Sequence, residues 1–229
     1  MRLSILVPVF NEENTILNIL EEIKAQNFDT FEYEIIVIND GSTDNTYDLL
    51  KKNPDLYNNL VSLEVNSGKG AAVIRGLEEA TGDYVIFQDA DLEYNPRDYL
   101  KIISVIEKYG AEVVIGSRFL SPEYTRVHNF THKIGNKFIT TLFNILNNTT
   151  FTDIYSCYLC FKKSALDINK LRSKGWEQHA EILCNVVKKS KIYYEVPISY
   201  SGRSYEEGKK IKGRHVVKVI LMIIKKSLF

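Results

Sequence analysis

Two carboxylates stand one residue apart at the end of an apolar run: Val85, Ile86, Phe87 and Gln88 lead into Asp89-Ala90-Asp91-Leu92-Glu93. The large residues before the pair read as a strand buried on both faces, as in a parallel sheet. Two anions brought together repel, so a positive charge between them is the chemical expectation. A hard divalent cation that keeps water and phosphate among its ligands suits one or two such carboxylates. A solvated acidic turn would carry the same residues, and the local pattern alone does not separate the two readings.

The elements that must hold this pair are legible on either side of it. Residues 3–9 form an apolar strand containing Pro8, followed by Asn11-Glu12-Glu13-Asn14-Thr15, which has helix-capping chemistry. Ile16, Ile19, Leu20 and Ile23 then recur at helical spacing. Residues 34–39 make a second strand that runs into Asp40-Gly41-Ser42-Thr43-Asp44 and a helix. Residues 60–65 make a third, followed by Asn66-Ser67-Gly68-Lys69-Gly70 and a helix to about residue 81. A helix over 98–109 and a strand over 112–116 precede Ser117-Arg118. The second half reads as helix 130–148, strand 153–161, helix 177–189 and strand 192–196. Alternating strands and helices specify an α/β fold, a Rossmann-like, mostly parallel central sheet with helices on both faces. Ligands of such sheets bind beyond the carboxyl ends of the strands. Glu12, Asp40, Lys69, Asp89, Asp91 and Arg118 therefore converge on one rim.

Each of the other turns is weak by itself. Gly68-Lys69-Gly70 before a helix could present backbone N–H groups to phosphate, but it lacks the Walker A spacing. No glycine follows the first strand, so a dinucleotide fingerprint is absent there. Asp40-Gly41-Ser42 could accept from a nucleobase or ribose, or simply cap a helix.

The 229 residues suit one domain over 1–229, and no linker or repeat divides them. Apolar content of 45% and charged content of 25% are those of an ordinary globular chain. Net formal charge is zero, which removes the global field that a nucleic-acid partner would call for. Cys157, Cys160 and Cys184 are an odd number that suggests no disulfide framework; Cys157 and Cys160 have the spacing of a redox or zinc pair but lack a second pair, and core packing is their expected role. The start has no signal-peptide pattern and nothing reaches the ~20 apolar residues of a bilayer span, so a cytoplasmic location is expected, peripheral on the membrane at most.

Taken in order, Pro8-Val9-Phe10-Asn11-Glu12, Asn39-Asp40-Gly41-Ser42-Thr43-Asp44, Asn66-Ser67-Gly68-Lys69-Gly70, Asp89-Ala90-Asp91 and Gly116-Ser117-Arg118 resemble the family 2 glycosyltransferases, in the branch of the dolichol-phosphate mannose synthases and related polyprenyl-phosphate sugar transferases. The likeness covers about residues 1–205 and is most specific over the first 120. It implies a GT-A fold, a nucleotide-sugar donor such as GDP-mannose or a UDP-hexose, Mg2+ or Mn2+, and inversion at the anomeric carbon. Residues 1–120 would bind the nucleotide sugar, 121–212 would form the acceptor side, and 213–229 a basic amphipathic helix.

The same resemblance implies the roles. Pro8, Phe10, Glu12, Asp40, Ser42, Lys69, Asp89 and Ala90 would line the donor pocket. Asp89 and Asp91 would hold the metal, with Glu93 and His179 as further ligands to be tested. Asp91, Arg118 and Glu181 would act in catalysis. Arg118, Arg203 and Lys209 would clamp phosphate. Asp153 matches the residue that opens the family's next strand motif. Asn39 stands where relatives often have Asp, and His179 where they often have an acid. A lipid-phosphate acceptor needs such clamps and no base, because a phosphate monoester is already a nucleophile at neutral pH. A glycan hydroxyl would need a base, from Asp91, Glu181 or His179. A nucleotide-sugar-binding protein without activity and a nucleotidyltransferase are the other readings. The apolar run 216–224, flanked by lysines, could lie among lipid headgroups or pack on the domain or on a second subunit of a homodimer.

Overall fold

The computed structural model describes residues 1–28, 31–120, 130–202 and 214–228. Among these residues seven strands form one sheet in the order β3-β2-β1-β4-β6-β5-β7. They are β1 (Arg2–Val9), β2 (Glu32–Asn39), β3 (Asn59–Ser62), β4 (Tyr84–Phe87), β5 (Val113–Ser117), β6 (Leu159–Lys162) and β7 (Tyr193–Pro197). The helices are α1 (Ile16–Lys24), α2 (Thr46–Lys52), α3 (Lys69–Glu79), α4 (Tyr99–Tyr109), α5 (Phe130–Asn147), α6 (Gln178–Lys189) and α7 (Arg214–Leu228).

Apolar periodicity decides these elements. Ile16, Ile19, Leu20 and Ile23 are fully buried along one side of α1, as their spacing requires. Every residue of β4 and β5 is buried, which is why both read as continuous apolar runs. β1 lies between β2 and β4, parallel to both, while β3 extends the sheet beyond β2. The chain thus leaves β1 first in one direction and then, at β4, in the other. This reversal creates a crevice at the carboxyl ends of β1 and β4.

Two strand expectations change. The expected strand over 153–161 shrinks to β6, which runs antiparallel between β4 and β5. Upstream of it, backbone groups find side chains instead of a ladder. Thr152 and Asp153 donate to the Glu195 carboxylate, and Cys157 donates to the Tyr94 hydroxyl. The expected strand over 60–65 stops at Ser62, because the backbone of Val65 and Asn66 lies under Gly41. There Gly41 has φ +64°, and a Cβ on it would sit 2.5 Å from the Val65 carbonyl carbon, so only glycine fits. All three cysteines are unpaired and buried.

Candidate active site

The turns after β1, β2 and β4 and the start of α3 meet at the crevice, and buried side chains hold each in place. Asp40 follows β2, with its carboxylate buried and bound at both oxygens: Oδ1 accepts from Ser67 N at 2.8 Å and Oδ2 from Gly68 N at 3.0 Å. Burial pushes its carboxyl above the usual range, with these two donations opposing the shift. Asp40 therefore shapes the Gly68 turn directly. The Asn39 amide nitrogen donates to Ser62 Oγ and its oxygen accepts from Ser42 N. Ser42 Oγ receives Asn11 N, and Thr46 Oγ1 receives Glu12 N, which joins the turn after β1 to that after β2. Pro8 near the end of β1 and Phe10 and Glu12 in the turn after it are partly exposed.

Gly68 has φ +94°, and Gly70 lies so close to the 173–174 backbone that a Cβ would come 2.6 Å from Lys174 C and Ser173 O. Gly70 N donates to Lys174 O at 2.9 Å. The turn thus reaches its position through glycine, and it delivers Lys69 to Asp89. The Lys69 ammonium bonds Asp89 Oδ1 and lies 5.3 Å from the centre of the Trp176 ring. Burial alone would raise the Asp89 carboxyl. The ammonium more than reverses that and holds it below the ordinary value.

Gln88, between the end of β4 and Asp89, is tied into the core and to the Asp89 backbone. Its Oε1 accepts from the hydroxyls of Tyr99 at 2.5 Å and Tyr158 at 2.8 Å, and its Nε2 donates to Asp89 O at 3.0 Å. An amide directly after Val85, Ile86 and Phe87 is a signal in itself, since a buried amide must find partners. Beyond the pair, Asp91 Oδ1 accepts from Glu93 N at 3.1 Å, and Leu92 has φ +62°, a strained conformation for a leucine. Glu93 accepts from the Tyr200 hydroxyl at 2.6 Å, and its carbonyl accepts from Ser201 N. Described chain thereby reaches this rim at Gly202. Arg203 and Lys209 lie outside the described residues.

Arg118 follows β5 and forms a buried, two-pronged pair with Asp153. Nε lies 2.7 Å from Oδ2 and a terminal nitrogen 2.8 Å from Oδ1, while the ring of Tyr200 lies 5.0 Å from the guanidinium. Its first partner is thus Asp153, on the segment before β6. Glu181, expected in catalysis, has no exposed surface. Oε2 accepts from Arg172 N and Ser173 N, and Oε1 lies 2.9 Å from Lys226 Nζ of α7. It organises the loop that packs on Gly70. His179 packs against Phe87 and Tyr155, and its Nε2 is buried without a partner among the described residues. Burial first, and then the Lys69 ammonium, lower its pKa to about 4, so the ring is neutral at physiological pH.

Among the described residues, no three His, Cys, Asp or Glu side chains gather as a metal cage. Two carboxylates with one residue between them still suit a hard cation that takes its other ligands from phosphate and water.

The profile of glycosyl transferase family 2 matches residues 4–168. The UDP-N-acetylglucosamine–dolichyl-phosphate N-acetylglucosaminyltransferase of Methanococcus voltae is 32% identical, over 93% of this chain and 90% of that protein. The dolichol-phosphate mannosyltransferase of Pyrococcus furiosus is 28% identical over 94% of this chain, which spans 61% of that longer protein. Among solved structures, glucosyl-3-phosphoglycerate synthase from Mycobacterium tuberculosis, in complex with Mn2+, UDP and phosphoglyceric acid, superposes with a TM-score of 0.73 at 20% identity, over 100% of this chain and 79% of that one. That likeness gives the fold, GT-A. The matched region holds the whole crevice, from the turn after β1 through Asp40, Lys69 and Asp89 to Arg118 and Asp153, and on this evidence the chain belongs to glycosyl transferase family 2.

Proposed function

We propose that this chain transfers a sugar, with inversion, from a nucleotide sugar to a polyprenyl or dolichyl phosphate. The observation that carries the reading is the joint at the crevice. One buried carboxylate, Asp40, holds the Gly68 turn, and that turn sets Lys69 against Asp89. Asp40, Ser42 and Lys69 would bind the nucleotide portion, with Pro8, Phe10, Glu12 and Ala90 lining the pocket. Asp89 and Asp91 would hold Mg2+ or Mn2+, which when bound neutralises the diphosphate leaving group.

The acceptor assignment rests on two observations. The Methanococcus voltae relative is named for a dolichyl-phosphate acceptor and is matched over 90% of its length. Of the three side chains that could serve a hydroxyl acceptor as a base, Asp91 is assigned to the metal, and Glu181 is held by two backbone N–H groups and Lys226. His179 faces Phe87 and Tyr155. A phosphate acceptor requires cations instead, and Arg118, Arg203 and Lys209 would supply them. The expected site of action is the cytoplasmic membrane face.

The test is a transfer assay with UDP-N-acetylglucosamine, UDP-glucose and GDP-mannose, each offered a polyprenyl phosphate or a free sugar, with and without Mn2+. Lipid-linked product with one donor, absent in chelator and in Asp91→Ala, is expected. Transfer only to free sugar hydroxyls would refute the acceptor assignment. Unchanged turnover in Asp91→Ala would refute the metal assignment. Donor binding without transfer to any acceptor would make the chain a binding protein.

A further inference from the structure

The long helix α5 is apolar on two opposite faces. Ile139 and Phe143 are buried against the domain, whereas Phe130, Ile134, Phe138 and Ile145 point outward, with Phe138 57% exposed. These four recur at intervals of four, four and seven residues, which places them in one stripe along the helix. α7 packs against α5 and α6 and repeats the arrangement: Val219 and Ile223 are buried, and Val217 and Leu221 are exposed, Leu221 at 61%. Two adjacent helices that each expose a continuous apolar stripe are unusual on a soluble surface, where apolar residues are ordinarily scattered.

Charge says what covers this surface. The chain has 29 acidic residues and zero net charge, yet neither α5 nor α7 contains an Asp or Glu. Lys133, Lys137, Lys218 and Lys225 are exposed around the stripes. We infer that the α5–α7 face docks on an anionic lipid bilayer, with the apolar stripes among the acyl boundary and the lysines at the headgroups. A second copy fits this face poorly, since a twofold contact would set the same lysines against each other. No helix among the described residues is long and apolar enough to cross a membrane, so the contact lies in the plane of the interface.

This surface is fastened to the site. Lys226, on the inner side of α7, pairs with Glu181, whose other oxygen holds the Arg172 and Ser173 N–H groups next to Gly70. The inference rests on the lipid-phosphate reading for its purpose and not for its evidence, and its test contains no acceptor lipid.

The full chain is sedimented with vesicles of phosphatidylcholine alone and of phosphatidylcholine with 30% phosphatidylglycerol. Binding to the anionic vesicles is expected, weakened at least tenfold by raising salt from 50 to 500 mM and by Phe138→Asp on α5 or Leu221→Asp on α7. Both positions are exposed, so each variant is expected to keep its nucleotide-sugar affinity. It should also keep its turnover on a short, water-soluble prenyl phosphate, and Phe138→Ser serves where the charged variant lowers stability. Absence of binding to anionic vesicles at low salt overturns the proposal, as does binding that both aspartate variants retain. A concentration-dependent dimer, abolished by Phe138→Asp while vesicles go unbound, assigns the face to a second copy and overturns it as well. Vesicle binding with no transfer to any lipid phosphate would refute the acceptor reading and leave this one standing.

Discussion

Replacing Asp153 with Asn tests how the acceptor side is held together. The Asp153 carboxylate is wholly buried and the Arg118 side chain is 12% exposed. The carboxylate accepts from Nε at 2.7 Å, from a terminal guanidinium nitrogen at 2.8 Å and from Arg118 N at 3.1 Å. An amide keeps one acceptor, turns an N–H2 toward the guanidinium and leaves that cation without its counter-charge. Removing one member of a buried pair costs about 3–5 kcal/mol. In a chain of this size that lowers Tm by on the order of 10 °C. Urea denaturation followed by circular dichroism measures it, as a lower midpoint with unchanged slope. In the double variant Arg118→Met/Asp153→Leu the buried charges disappear together, and stability should recover by at least about 2 kcal/mol relative to the sum of the single changes. The aspartate pair and the Gly68 turn come from other strands, so nucleotide-sugar affinity should change less than threefold. A loss below about 1 kcal/mol in Asp153→Asn, or strict additivity in the double variant, would refute the claim that this pair holds the rim.

Gly70→Ala should cost about 1–3 kcal/mol and weaken nucleotide-sugar binding, because the new Cβ meets backbone that cannot turn away. Gly135→Ala, with nothing within 4 Å of its Cβ on α5, should instead stabilise by about 0.5–1 kcal/mol. Calorimetry and thermal melts measure both. His179, with a folded pKa of about 4, imposes no stability loss above the unfolded value of 6.5. Between there and about pH 4 the unfolded state takes the proton more readily, so stability falls; His179→Asn should flatten that limb of a stability–pH curve, and an unchanged limb would contradict the burial argument. Burial raises the Glu34 carboxyl, but bonds from Ser4 and Thr81, with Arg2 nearby, bring it below the ordinary value. Its contribution is therefore present above about pH 4.5 and is lost as pH falls through the lower folded value. Glu34→Gln should cost about 1–3 kcal/mol at pH 7, and the difference from the parent chain should shrink in acid.

The strand–helix alternation of the first half was legible because it is local. Ile16, Ile19, Leu20 and Ile23, or Val113, Val114 and Ile115, declare their element by period alone. Val65 shows the limit: it extends an apolar run, yet it is 68% exposed and follows the end of β3. The site was legible as a set of residue types at strand ends, but their partners were not. Asp40 could as well have capped a helix, and Arg118 could as well have faced solvent. Nothing local to Glu181 named its partner Lys226, which lies 45 positions further along the chain.

What the amino-acid order determined by itself was the supply of parts: buried strands, the glycines that permit the Gly41, Gly68 and Gly70 approaches, and carboxylates at the strand ends. Those follow from side-chain period and backbone sterics, which act over a few residues. Only the tertiary structure decided that β6 enters antiparallel between β4 and β5 and that Gln88 receives two tyrosine hydroxyls. It alone decided, too, that Asp153 neutralises Arg118 and that α5 and α7 keep apolar stripes outside the core. Each of these depends on groups far apart in the chain meeting in a dry interior, where an unpaired charge or amide is costly. Which partner satisfies it is a property of the packed fold.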